Sequence, residues 1–310
     1  MNSDLPKLGI ALGSGSARGW AHIGVLQQLR EMKIEPDVVV GCSMGAMVGA
    51  SYVANNLDEL EQWATELTWR DVFGLLDVHL SGGLFEGRKL FEFIQSHMGS
   101  LTFADLQKPF AAVATDIETG REIWLRDGPI ATAIRASASL PGVLTPYQTA
   151  KGRYLLDGGL VNPVPISLCK AMGADIVIAV NLNAEIVGKH LRNPRKLGLW
   201  TDEFIKDETV DDDTQEQSEW LVKLSQVFGF EDQVTDDNNP PGMLEVVASA
   251  INIMQDRVTR SRMAGDPADL LLSPKLAHLG LMEFNRASEA IEMGRQVVRD
   301  AESQLHGLLA

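Results

Sequence analysis

The chain of 310 residues is short of several things, and each shortage removes a class of function. Its two cysteines, Cys42 and Cys169, cannot build a disulfide framework, and with six scattered histidines they match no metal-binding spacing. Basic residues are scarce: 27 Lys+Arg stand against 42 Asp+Glu, a formal net charge of -15. Nucleic acid and anionic membranes repel such a chain, so nucleic acid is excluded as a partner and any membrane-surface contact has to be apolar, local and transient. Long hydrophobic runs are missing too. No uncharged apolar stretch approaches the roughly 18 residues of a membrane-spanning helix, and the opening MNSDLPKLGIALG lacks the basic head and long apolar segment of a signal peptide. A cytoplasmic protein is the expectation.

What remains is ample for a core. Hydrophobic residues make up 45% of the chain and charged ones 22%, enough for one α/β domain with or without an appendage. Residues 8–12 form a short apolar run that meets Gly13, and Trp20, Ala21, Ile23, Val25, Leu26 and Leu29 follow with helical spacing. Val38-Val39-Val40 reads as a second buried strand, followed by a small-residue helix from Met44. Further strands are predicted at 110–115, 122–125, 154–156, 176–181 and 270–272. Helices are predicted at 165–172, from 243 to about 263, and from about 283 to the end. This alternation predicts an α/β fold with a mostly parallel sheet covered on both faces. Residues 1–185 are expected to form the catalytic core, 186–241 an acidic insert or mobile loop, and 242–310 a segment completing the same domain. Acids dominate 201–239, where Trp220, Leu221, Leu224, Val227 and Phe228 share one helical face. That face suits docking onto the protein's own core or a lid over an acyl chain, and the acids around it suit a protein partner.

Three short stretches carry chemistry. Gly41-Cys42-Ser43-Met44-Gly45 fits the G-x-S-x-G nucleophile elbow, with an apolar strand before it and a helix after. Glycines two residues either side of the serine allow a sharp turn, and Ser43 would sit at the positive end of the next helix. A plain serine N-cap fits the same pattern. The loop Gly13-Ser14-Gly15-Ser16-Ala17-Arg18-Gly19 would gather backbone N–H groups into a concavity for a phosphate or an oxyanion. Its third glycine comes one residue late for G-x-G-x-x-G, and no acid follows the second strand, so an oxyanion hole is favoured over a dinucleotide loop. Finally, Asp157-Gly158-Gly159 ends an apolar run. An isolated Asp-Gly usually starts a turn. No histidine has a triad-like context, however, so Asp157 is the candidate base for Ser43.

These three stretches, in this order, resemble the patatin-like phospholipase family, and specifically its small bacterial branch related to neuropathy target esterase. The likeness extends to Arg18-Gly19-Trp20-Ala21-His22-Ile23-Gly24-Val25-Leu26, to Ala136-Ser137-Ala138-Ser139-Leu140-Pro141-Gly142, and to Leu160-Val161-Asn162-Pro163-Val164-Pro165 after the Asp157 turn. The resemblance implies a three-layer α/β/α sandwich and hydrolysis of fatty-acyl esters, of phospholipase or lysophospholipase type. It implies Ser43 as nucleophile, Asp157 as base, an oxyanion hole at 13–19, and neither cofactor nor catalytic metal. Many relatives have glycine where this chain has Ser14 and Ser16, so a positive φ at either site would strain the loop. Arg18 is expected to form a structural salt bridge and His22 to pack or bond to backbone. The competing readings are a regulatory protein on the same scaffold, using the acidic segment as its partner surface, and dinucleotide-dependent redox chemistry, which the loop spacing disfavours.

Overall fold

The computed structural model describes residues 6–68, 88–184 and 243–309. Eight strands form one sheet: β1 (Leu8–Leu12), β2 (Val38–Cys42), β3 (Phe110–Asp116), β4 (Glu122–Leu125), β5 (Tyr147–Gln148), β6 (Tyr154–Asp157), β7 (Ile176–Val180) and β8 (Leu270–Leu272). The helices are α1 (Ala21–Glu31), α2 (Met44–Val53), α3 (Leu57–Glu66), α4 (Arg88–Met98), α5 (Ile130–Ser137), α6 (Ile166–Ala171), α7 (Met243–Gly265), α8 (Ala287–Asp300) and α9 (Glu302–Leu309).

The strand order is β5-β6-β3-β2-β1-β7-β8, with β4 also paired to β3. The pairs β3–β2, β2–β1, β1–β7 and β7–β8 are parallel, whereas β3–β4, β3–β6 and β5–β6 are antiparallel. The sheet is therefore parallel through its centre and mixed at one side. The cause is local: hairpin-length connections join β3 to β4 and β5 to β6, and a parallel pair needs a long crossover.

The central strands read as continuous apolar runs because both of their faces are covered. Ile10, Leu12, Val39, Ala112, Ile178 and Val180 pack into one core with residues of α1, α2, α3, α5 and α8. The alternate residues Ala11, Val38, Val40, Ala111, Val113, Val177 and Ala179 pack into a second core with Ile166, Leu168 and Cys169 of α6. This is the period-two division expected of strands between two helical layers. The predicted strands are all present. The last predicted helix is divided: a short 3-10 turn (Phe284–Arg286) precedes α8, and Ala301, at φ -95° and ψ 5°, separates α8 from α9. The acidic stretch 201–239 and its apolar face lie outside the described residues.

Candidate active site

Ser43 stands between β2 and α2 at φ 56° and ψ -122°, a backbone conformation that costs a non-glycine residue about 1–3 kcal/mol. The turn is held on both sides. The Ser43 carbonyl accepts from the Ala46 and Met47 N–H groups at 2.9 and 3.2 Å, and the Ser43 N–H donates to Ser137 Oγ at 2.9 Å. A Cβ at Gly45 would run into the Leu12 and Gly13 carbonyls, and one at Gly41 into Gly45 and Ala46. Two backbones approach so closely here that the flanking glycines are required. The Ser43 side chain makes no capping bond to α2, which separates it from an ordinary serine N-cap.

Asp157 ends β6, fully buried, opposite Ala114 of β3. Its N–H donates to the Ser139 carbonyl at 2.9 Å, and its carbonyl accepts from Thr115 Oγ1 at 2.8 Å. Its Oδ1 accepts from the Gly159 N–H at 2.7 Å, with the Cys42 thiol 3.9 Å away, and Oδ2 has no full hydrogen bond. The turn expected of Asp-Gly-Gly therefore forms and anchors one edge of the carboxyl. Burial raises the Asp157 pKa to about 6, opposed in decreasing order by the Ser43 hydroxyl, the Gly159 N–H and the Cys42 thiol. The sheet thus brings Ser43 and Asp157, 114 positions apart in sequence, together at the ends of β2 and β6, the two strands that both pair with β3.

The loop 13–19 runs from the end of β1 into a 3-10 turn, Ser16–Trp20. Four of its N–H groups are already engaged: Gly13 with the Val180 carbonyl, Ser14 with Pro163, Ala17 with Leu281 and Arg18 with Gly15. Among the described residues the Gly15 and Ser16 N–H groups have no partner, which narrows the oxyanion donors expected from the sequence; the Ala17 N–H is engaged. Ser16 has φ 51°, so the strain anticipated for a serine in this loop falls there, while Ser14 is free of it. Gly19 allows the loop to pass over Met44, where a Cβ would collide.

His22 is fully buried beneath the loop, its Nε2 donating to the Gly13 carbonyl at 2.7 Å. Burial lowers its pKa to about 4, opposed by that bond, so it stays neutral and braces the loop. The salt bridge expected of Arg18 is absent among the described residues. Its side chain instead donates from Nε to the Gly15 carbonyl and from Nη2 to Asn252 Oδ1, both at 3.3 Å, and burial lowers its pKa to about 10. Arg18 thereby ties the glycine-rich loop to α7. Among the described residues no group of three or more His, Cys, Asp or Glu is placed to hold a metal ion.

The sequence alone gives no role to the residues that hold these parts in place. Ser137, the last residue of α5, and Ser139 just beyond it grip the Ser43 and Asp157 backbones. Asn183 Nδ2 reaches the Ser14 carbonyl at 3.5 Å and Gln255 Oε1 of α7 at 3.0 Å. Polar residues on an amphipathic helix read as a solvated face, and only tertiary packing turns Asn252 and Gln255 inward. A cavity of about 520 Å³ lies between α4, α5 and β5, lined by Phe91, Ile94, Thr132, Arg135 and Tyr147 among others; neither Ser43 nor Asp157 lines it.

A family profile described as "Patatin-like phospholipase" matches residues 10–170. An uncharacterised NTE family protein of Mycobacterium tuberculosis is 34% identical, the match covering 96% of this chain and 92% of that protein. Lysophospholipase NTE1 of Pyricularia oryzae is 28% identical over 93% of this chain but only 18% of its own length. Neuropathy target esterase sws of Drosophila melanogaster is 32% identical over 57% of this chain and 13% of that protein. Among solved structures, VipD from Legionella pneumophila aligns over 97% of this chain and 77% of its own, with a TM-score of 0.45 and 13% identity. The profile match over half the chain, and the near full-length likeness to the mycobacterial protein, place this chain in the patatin-like phospholipase family of lipid hydrolases, in a small bacterial branch related to NTE.

Proposed function

We propose that the protein is a serine acyl hydrolase that cleaves fatty-acyl ester bonds of lipids through a Ser43–Asp157 dyad and an acyl-enzyme. The observation that carries this reading is the buried Asp157 carboxyl. Its pKa, raised to about 6, leaves it ionised at neutral pH yet a better proton acceptor than an exposed Asp, and the Ser43 hydroxyl is the strongest neighbour favouring its charged form. As Ser43 Oγ attacks the ester carbonyl, its proton passes to Asp157. The Gly15 and Ser16 N–H groups face the developing oxyanion, together with the first N–H groups of α2, and the alcohol leaves with the proton from Asp157. Water then cleaves the acyl-enzyme with Asp157 as base again. The strained backbone at Ser43 holds the nucleophile ready without reorganisation.

The names of the fungal relatives, lysophospholipases, point to lysophospholipids as the first substrates to try. We also read 1–185 and 242–310 as parts of one catalytic domain interrupted by 186–241. Support comes from the pairing of β8 with β7 and from α8, which lies against α1 where Gly24 meets the Ile291 carbonyl. The decisive experiment is intact-mass detection of a fluorophosphonate adduct on the purified protein. One adduct is expected on the wild type and none on Ser43→Ala or Asp157→Asn. A folded wild type that takes no adduct would overturn the reading.

A further inference from the structure

Two buried polar side chains beside the dyad, Gln255 and Ser14, have unused hydrogen-bonding capacity, and they converge with the Asp157 carboxyl on one glycine. A methyl group built on Gly159 would lie 2.5 Å from Gln255 Nε2 and 3.0 Å from both Asp157 Oδ1 and Ser14 Oγ. Gln255, Ser14 and Asp157 are 4%, 4% and 0% exposed. Among the described residues the Gln255 side chain engages only its Oε1, and Ser14 only its backbone. The orientation of the Gln255 amide follows from a chain of partners. The Ser14 carbonyl can only accept, so Asn183 turns its Nδ2 that way; Gln255 then presents Oε1 to Asn183, which leaves Nε2 as the amide atom beside Gly159. A donor amide, a hydroxyl and a carboxylate that close on the bare face of Gly159 form a cradle of the partners a bound water requires.

Resting on the Ser43–Asp157 reading, we propose that this cradle seats the water that cleaves the acyl-enzyme, with Gln255 as its positioning donor and Ser14 as its second partner. The water accepts from Gln255 Nε2 and donates to Asp157, beside the loop whose Gly15 and Ser16 N–H groups hold the acyl oxygen. Its oxygen adds to the acyl carbon as one proton passes to Asp157. The tetrahedral adduct then breaks its bond to Ser43 Oγ, which takes that proton back, and the fatty acid leaves. Acylation needs no water, so Gln255 belongs to the second half of the cycle alone.

The test uses p-nitrophenyl butyrate with the 310-residue protein and its Gln255→Met variant, which keeps the volume and removes the donor. The variant is expected to take the fluorophosphonate on Ser43 within about threefold of the wild-type rate. It should release a burst of one equivalent of p-nitrophenol, turn over roughly tenfold or more slowly thereafter, and show butyrylated Ser43 by intact mass. Hydroxylamine, a nucleophile that needs less help from a base, should restore its turnover. Unchanged steady-state turnover in Gln255→Met would overturn the proposal. So would labelling and turnover that fall together, which would make Gln255 a support of the dyad itself. A wild type that takes no fluorophosphonate would instead bring down the dyad reading, and this proposal with it.

Discussion

On the proposed dyad reading, the full burial of Asp157 acts on both catalysis and stability. Desolvation raises its pKa to about 6, against the Ser43 hydroxyl and the other donors. As a base it has to be ionised, so kcat/KM should fall about tenfold for each pH unit below 6 and be level above 7; a profile flat down to pH 4.5 would remove Asp157 from that role. The stability effect has the opposite sense. The folded pKa lies above the unfolded value of 3.8, so the protonated form favours folding below pH 4, and that contribution is lost as the pH rises through 6. The charged carboxyl therefore costs on the order of 3 kcal/mol at neutral pH. Asp157→Asn should accordingly melt above the wild type at pH 7.5 and converge with it near pH 4, while losing turnover. Ser16 offers a second case. With φ at 51°, Ser16→Gly should stabilise the fold by about 1 kcal/mol in chemical denaturation, because only the strain is removed.

The segment from Arg135 to Ser139 links the two halves of the site more directly than any strand does. Ser137 Oγ takes the Ser43 N–H and the Ser139 carbonyl takes the Asp157 N–H, while Arg135 Nη1 donates to Ser139 Oγ at 2.8 Å. Ser137→Ala would leave a buried N–H without a partner at the elbow. A loss of about 1–3 kcal/mol in urea denaturation is expected, with slower fluorophosphonate labelling of Ser43. Labelling at the wild-type rate would mean that the elbow keeps its shape without this bond. The sequence showed this element only in part. β1, β2, β3 and β7 were legible because strands buried on both faces must be apolar throughout, and the elbow because its glycines sit at fixed offsets. α5 was not, since its eight residues make only about two turns and no capping side chain marks its start at Pro129, and β5 is only two residues long. Gln255 and Asn183 escaped notice for another reason: nothing local to either residue records that the chain folds back to set it beside Ser14.

At the scale of the whole molecule the charge is unevenly placed. Of the formal -15, residues 201–239 carry -11, from thirteen acids against Lys206 and Lys223, so the rest of the chain is only mildly acidic. If the substrate is a lipid presented at a surface, this field opposes approach to anionic interfaces and leaves zwitterionic ones accessible, over a range of roughly 10 Å at 0.1 M salt. Exposed Ile117, Trp124 and Tyr154 offer apolar contact without needing charge. Hydrolysis of a lysophospholipid in zwitterionic micelles should therefore be nearly independent of salt, whereas in micelles doped with an anionic lipid it should rise several-fold between 20 and 300 mM NaCl. Replacing the thirteen acids of 201–239 by their amides should raise the low-salt rate on the anionic micelles and flatten the salt dependence, with the rate on zwitterionic micelles unchanged. If the neutralised variant keeps the full salt response, the repulsion arises elsewhere on the molecule, and the acidic segment is free for a role other than choosing the surface on which the enzyme works.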